Sequence, residues 1–444
     1  MMSANAHTIV AISSAPGQSL RGLIRLSGSG CKTIMQDMGI TLPPPRQLTA
    51  TRITYGNHQL PCLVLNFQEP ASYTGQDSVE LQLPGNPALL GQLIHRMIQL
   101  GARMAQPGEF TFMAYLAGKL DLTQAEGIGA TITAISEAQL QAAKLLRQGN
   151  LGTFSHKVVT ELATALALVE AGIDFTDQED VIAITPAQLL KRLTDVHVQL
   201  DDLVANSRSW GALEALPRVV LVGPPSSGKS TLFNVLLGHQ RAVTHQAPGT
   251  TRDILAEPLI LQRADGSQVE VMLMDIAGLD DAASLLDADI QQAARQAIDQ
   301  ADLIIHHGKT PHADHLIQVA PKADEPNFKT PDDPNVLPIS AHTGMGIDQL
   351  KYQILAKLGH RGVSIQAQKL ALQPRHELAL KHALQALDDA LLQVTPQKDE
   401  PALDDLELIA GQLRDALDEL ASLGGQMTPD DIIGRVFATF CVGK

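Results

Sequence analysis

The run Gly223-Pro224-Pro225-Ser226-Ser227-Gly228-Lys229-Ser230 has the residue types and spacing of a loop that cradles phosphate. Glycines let such a backbone curl so that successive N–H groups face phosphate oxygens at a helix N-terminus. Lys229 is spaced to reach the β- and γ-phosphates and Ser230 to ligate Mg²⁺, with Gly223, Ser226, Ser227, Gly228 and Thr231 completing the cradle. Four further stretches follow in the order that guanine-nucleotide chemistry needs. Gly249-Thr250-Thr251-Arg252-Asp253 stands where a switch loop would give Thr251 to Mg²⁺ and sense the γ-phosphate, with Thr250 a nucleotide-binding and Arg252 a catalytic candidate. Asp275-Ile276-Ala277-Gly278 comes next, with Asp275 holding Mg²⁺ through water and the Gly278 N–H touching the γ-phosphate. Lys322-Ala323-Asp324 and Ser340-Ala341-His342 then stand where a base-reading pair of loops belongs. A carboxylate such as Asp324 can accept both N–H groups of a guanine edge, which favours guanine over adenine.

These side chains need strands that end at one place and helices that start there. Arg218 to Val222 is an apolar run before the first loop, and Thr231 to Leu237 is a helical stretch after it. Val269–Met274, Leu303–His306 and Val336–Ile339 are short apolar runs of the kind a buried parallel sheet uses. The stretch Lys309–Pro334, rich in Pro, Asp, Lys and His, reads as loop, as does Pro396–Pro401. Upstream, Thr8–Ser13, Arg21–Ser27, Cys62–Phe67 and Ser78–Leu83 read as strands between turn residues, and Pro87–Arg103 as an amphipathic helix striped by Leu90, Leu93, Met97 and Leu100.

From Leu122 to Trp210 the period becomes helical. Val158, Leu162, Leu166, Val169 and Ile173 form one stripe; Leu189, Leu193, Val196, Leu200 and Leu203 form another. The same spacing returns at Leu380, Leu384, Leu387 and Leu391 and at Leu406, Ile409, Leu413, Leu417 and Leu420. The two halves together predict one antiparallel bundle, interrupted by the nucleotide domain. The fold class is therefore multidomain, α/β and α. A mixed α/β domain spans 1–120, a helical domain 121–212 and 365–444, and an inserted Ras-like P-loop domain 213–364.

Bulk properties narrow the function classes. A chain of 444 residues has room for roughly three domains. Its formal charge of −15 disfavours a general nucleic-acid-coating role, and the 3% aromatic content disfavours a base-stacking platform. Three scattered cysteines, Cys31, Cys62 and Cys441, without CxxC spacing fit a reducing cytoplasm and no structural zinc. No apolar run approaches the ~18 residues of a membrane span, and the N-terminus lacks a signal-peptide pattern.

Motifs in three regions resemble the tRNA modification GTPase family MnmE, also called TrmE, over essentially the whole sequence. Pro16-Gly17 with Ile24-Arg25-Leu26-Ser27-Gly28 resembles its PGxGGxxIIRxSG opening, and Ser72-Tyr73-Thr74-Gly75-Gln76-Asp77-Ser78-Val79-Glu80-Leu81 its SYTGED-VEL stretch. Pro107-Gly108-Glu109-Phe110-Thr111 and Gly118-Lys119-Leu120-Asp121-Leu122-Thr123-Gln124-Ala125-Glu126 match its PGEFT…NGKLDLxQAE signature. Ile173-Asp174-Phe175, the GTTRD loop, Ser340 to Gly346 and the terminal Phe440-Cys441-Val442-Gly443-Lys444 are further family features. The resemblance implies a cytoplasmic homodimer that binds GTP, Mg²⁺, K⁺ and a tetrahydrofolate derivative. It further implies action with the flavoprotein MnmG on C5 of the tRNA wobble uridine. By the same resemblance, Arg25, Glu80, Lys119 and Lys444 are folate-domain candidates, and Cys441 would lie near that site.

The chain departs from the family at four functional positions. Ser226 replaces the potassium-ligating Asn of GxPNAGKS, and a hydroxyl is a shorter and weaker cation ligand than an amide oxygen. Asp287 stands at the position of the water-orienting catalytic Glu, one methylene shorter, with Asp280, Asp281 and Asp289 nearby. Pro321 replaces the Asn of NKxD, and Leu83-Pro84-Gly85 stands where an HGG-like run is expected. Two readings follow: a GTPase of tRNA modification, and a non-hydrolysing paralogue that binds folate and partners as a scaffold. A ribosome-assembly GTPase is a third, opposed by the folate-type N-terminal motifs.

Overall fold

The computed structural model describes residues 8–55, 58–174, 183–214, 216–224, 226–238, 254–276, 296–308, 315–359, 363–364, 370–425, 436–437, 440 and 442–443. The N-terminal region contains β1 (Ile9–Ile12), β2 (Ser19–Ser27), α1 (Cys31–Asp37), β3 (Leu48–Tyr55), β4 (His58–Phe67), β5 (Ser78–Gly85), α2 (Pro87–Gln99), β6 (Arg103–Met104) and α3 (Glu109–Leu116). Its six strands form one sheet in the order β3-β4-β5-β2-β1-β6, antiparallel except for β1 beside β6. Alternation does the sorting: Ile24 and Leu26 of β2, and Val79, Leu81 and Leu83 of β5, turn one face onto the buried Leu90, Leu93 and Met97 of α2. The expected helix 87–103 stops at Gln99, because Gly101 at φ +104 turns the chain into β6.

Next come α4 (Leu122–Thr133), α5 (Glu137–Arg147), α6 (Asn150–Asp174), α7 (Pro186–Ala205), β7 (Arg208–Ser209) and α8 (Trp210–Glu214). The nucleotide region follows: β8 (Arg218–Val222), α9 (Lys229–Leu237), β9 (Ile254–Gln262), β10 (Gln268–Ile276), β11 (Leu303–His307), β12 (Leu316–Ala320), β13 (Val336–Pro338), α10 (Ile347–Leu358) and β14 (Val363–Ser364). After it come β15 (Ala371–Leu372), α11 (Pro374–Val394) and α12 (Leu406–Gly424). Contacts divide the chain into two units, one of 1–132, 145–203 and 378–444, the other of 133–144 and 204–377.

In the first unit, polar links join α6, α7, α11 and α12 into a four-membered bundle around the predicted stripes. Gln199 donates to Glu161, His197 pairs with Asp388, His382 with Glu419, and Arg414 with Glu170 at 2.6 Å. Val158, Leu162, Leu193, Val196, Leu387, Leu413 and Leu420 are fully or almost fully buried, so the centres of the stripes are core as their period predicts, while Leu166, Leu384, Leu391, Leu406 and Leu417 are half-buried.

In the second unit, the strands run β13-β12-β11-β8-β10-β14, with β9 on β10. The central pairs β12–β13, β11–β12, β11–β8 and β10–β8 are parallel; β9 and β14 pair antiparallel with β10, so the sheet is mixed rather than purely parallel. The stretch expected to be loop at 309–334 contains β12. Its four apolar residues, Leu316, Ile317, Val319 and Ala320, are broken by Gln318 and sit in a stretch rich in turn residues, and ladders on both sides fix it as a strand.

Candidate nucleotide-binding site

Four parallel strands place the chemistry. Adjacent parallel strands end at the same edge of a sheet, so the C-terminal ends of β8, β10, β12 and β13 gather there. The segment after β8 is the phosphate-type loop. Gly223 has φ +152, Ser226 φ +58 and Gly228 φ +91, and Lys229 opens α9 directly after Gly228. An added Cβ on Gly223 would lie 2.6 Å from His307 Cβ, so only glycine lets β11 come this close.

Lys229 is buried, and its ammonium donates to the carbonyls of Gly223 at 2.6 Å and Pro224 at 2.9 Å, bridging the start of the loop. Ser230 Oγ donates to Asp275 Oδ2 at 2.8 Å, joining the first turn of α9 to the end of β10. Asp275 is buried, and its Oδ1 has no partner among the described residues. A hydroxyl beside a carboxylate with an unused oxygen is a hard-oxygen donor set that suits Mg²⁺, which keeps several of its waters. Thr231 is exposed on the same helical turn, and Ser226 is exposed on the loop. Ser227 Oγ is buried without a partner among the described residues, while its carbonyl meets His307 Nδ1 at 3.1 Å. Burial, with Lys229 and His306 adding to it, lowers the His307 pKa from 6.5 to about 4, so the ring is neutral. The predicted strand run Leu303–His306 stops one residue short of His307, to which the sequence assigned no role.

The two loops expected to read the base also meet. Ser340 Oγ donates to Asp324 Oδ1 at 2.6 Å and accepts the N–H groups of His342 and Thr343. The Ser340 bond, first among several causes, holds the Asp324 carboxyl below its usual range. Lys322 sits at φ +61 and pairs with Glu325 at 3.5 Å, while the Ala323 N–H donates to Ile339, tying this loop to the segment that carries Ser340 and Ala341. Thr250, Thr251, Arg252, Gly278, Asp287, Cys441 and Lys444 lie outside the described residues.

In the first unit, Arg25 of β2 and Glu80 of β5 are register partners joined at 2.8 Å. The Arg25 guanidinium lies 5.9 Å from the Tyr73 ring centroid and 5.6 Å from that of Phe110. Tyr73 in turn shares a hydrogen bond with Thr111 at 3.0 Å, and Lys119 Nζ donates to the Pro70 carbonyl at 2.6 Å. The three N-terminal motifs therefore meet. The C-terminal motif joins them: Val442 bridges Pro107, Ser13 Oγ donates to the Gly443 carbonyl at 2.7 Å, and a Cβ on Gly108 would strike the Phe437 carbonyl at 2.6 Å.

A strand–loop–helix with a buried lysine, a Ser–Asp pair at the metal position and an Asp–Ser pair at the base position defines a P-loop G domain, here within a larger α/β and helical chain. Family comparison agrees over nearly every residue: residues 8–119 match the GTP-binding protein TrmE N-terminus and 122–441 the MnmE helical domain. The chain belongs to the MnmE family. Its relatives include the tRNA modification GTPase MnmE of Xylella fastidiosa strain Temecula1, 36% identical over 98% of both chains. The MnmE proteins of Neisseria meningitidis 053442, at 34% over 100% of both, and Nitrosomonas eutropha, at 32% over 99% of this chain and 100% of that one, are further examples.

Proposed function

We propose that this chain binds and hydrolyses GTP with Mg²⁺ and acts, as a cytoplasmic homodimer with an MnmG-type flavoprotein, in modifying C5 of the tRNA wobble uridine. A tetrahydrofolate derivative is the one-carbon donor in this reading, bound at the N-terminal domain, 1–120, by Arg25, Glu80, Lys119 and Lys444. The helical domain, 121–212 and 365–444, carries the G domain of 213–364 as an insert. One observation carries the hydrolase reading: Ser230 Oγ on Asp275 Oδ2 at 2.8 Å beside a buried Lys229.

The residues divide the work. The loop amides orient the phosphates at the N-terminus of α9, and Lys229 exchanges its loop carbonyls for phosphate oxygens. Asp324, held by Ser340, accepts from the guanine edge. Mg²⁺, where bound by Ser230, Thr251 and, through water, Asp275, supplies charge neutralisation between the phosphates. By the family resemblance, Arg252 and the Gly278 amide would serve the γ-phosphate and Asp287 would orient the attacking water. Ser226 offers potassium only a hydroxyl, and Asp287 is a short carboxylate for its task, so turnover is slow and indifferent to K⁺.

The test is GTP turnover in K⁺ against Na⁺, with Asp287→Ala alongside. Slow turnover in both salts, abolished by Asp287→Ala, is the expected result. No turnover in either salt leaves the scaffold reading, in which the G domain binds without hydrolysing. Restoration of wobble-uridine modification in cells lacking their own MnmE checks the biological role; its absence alongside normal turnover would overturn that part alone.

A further inference from the structure

The phosphate loop rests on a side chain that belongs to none of its motifs. His307 ends β11, is 1% exposed, and lies under both ends of the loop. Its Cβ takes the space that any side chain on Gly223 would need, and its Nδ1 lies 3.1 Å from the Ser227 carbonyl oxygen. A carbonyl only accepts, so Nδ1 must carry the proton, and the neutral ring is then the Nδ1–H tautomer. Its Nε2 is buried with no partner among the described residues, which leaves the Ser227 carbonyl as its recorded polar contact.

The consequence follows from peptide geometry. In a planar trans peptide the carbonyl of one residue and the N–H of the next point in opposite directions. Drawing the Ser227 carbonyl down onto β11 turns the Gly228 N–H away from β11, to the side of the loop where phosphate oxygens would lie. Without that anchor the Ser227–Gly228 peptide is free to rotate, since Gly228, at φ +91, tolerates either orientation.

We propose that His307 is a positioning residue for nucleotide binding, whose Nδ1–H holds the Ser227–Gly228 peptide in the orientation that binds a nucleoside diphosphate or triphosphate. This rests on the nucleotide-binding reading above. The full chain is titrated with a fluorescent N-methylanthraniloyl GDP in Mg²⁺, as wild type, His307→Leu and His307→Asn. Asparagine places its amide N–H where Nδ1 stands; leucine fills the volume without a donor. Loss of one such bond to a part-buried carbonyl weakens binding about tenfold in His307→Leu, and His307→Asn restores it to within about threefold.

Failure of the wild type to bind would sink the nucleotide reading itself. Binding by the wild type with unchanged affinity in His307→Leu, or equal weakening in both variants, would overturn the role of His307 alone. Should the variants not fold, histidine-selective ¹⁵N NMR of the wild-type chain decides. An Nδ1–H tautomer at His307 is expected, and an Nε2–H tautomer would end the proposal.

Discussion

The carboxylate of Glu270 accepts the backbone N–H of Ala138 at 2.9 Å, and its other oxygen accepts that of Glu137 at 2.8 Å. Glu270 is 1% exposed on β10, so two amides at the first turn of α5 find their acceptors 132 and 133 residues away in sequence. Both partners lie in the nucleotide-binding unit, and β10 is the strand that carries Asp275 next to its last residue, Ile276. A negative charge at a helix N-terminus is favourable, and amides buried without an acceptor are costly. Glu270→Gln turns one oxygen into a donor facing a donor and should cost about 1–3 kcal/mol. Hydrogen exchange at Glu137 and Ala138 would accelerate with it; unchanged protection there would mean that the carboxylate carries no weight.

Gly223→Ala should disable the loop without touching a catalytic side chain. The new Cβ would stand 2.6 Å from His307 Cβ and 2.9 Å from its carbonyl oxygen, on a backbone at φ +152. Such strain costs of order 1–3 kcal/mol, which appears as weaker GDP binding and a lower unfolding temperature for the nucleotide-binding unit. Binding equal to wild type would show that β11 can retreat.

Asp324→Asn keeps an oxygen for Ser340 but exchanges the second acceptor for an amide donor. Two charge-assisted bonds to the guanine edge are weakened, so GDP affinity should fall about a hundredfold. Titration with GDP, ADP and inosine diphosphate reads the change. A variant that still prefers GDP over inosine diphosphate by the wild-type ratio would remove Asp324 from base recognition.

Acidification should loosen the nucleotide-binding unit through His307. Its pKa falls from 6.5 to about 4 on folding, through burial first and then Lys229 of α9 and the adjacent His306, while the Ser227 carbonyl opposes the shift. Between these values the unfolded chain binds the extra proton. Stability therefore rises with pH across this window and is lost as pH falls from about 6.5 towards 4. One proton corresponds to a slope of about 1.4 kcal/mol per pH unit. Urea unfolding followed at pH 7, 6 and 5 should show this extra slope in the wild type and lose it in His307→Asn. Parallel profiles for the two would exclude His307 as the titrating group. Asp324, lowered mainly by its bond from Ser340, acts only below this window.

What was legible in the sequence had local causes. The turn geometry at Gly223 and Gly228, the lysine opening α9 and the period of the helical stripes depend on residues a few positions apart. The order of the loops followed as well, since each segment after a strand carried its own chemical signature. β12 was hidden because two neighbouring ladders, not its own residues, make it a strand. Its identity depends on hydrogen bonds that only exist once β11 and β13 are in place.

By itself the sequence determined the phosphate loop, the Asp275 and Asp324 positions, the family motifs and the apolar faces, because backbone sterics and periodicity write these into short spans. The tertiary structure alone decided that His307 underlies the loop, that Glu270 caps α5 and that Val442 returns to Pro107. Each of those joins residues far apart in the chain, through a register or a packing distance that no local pattern encodes.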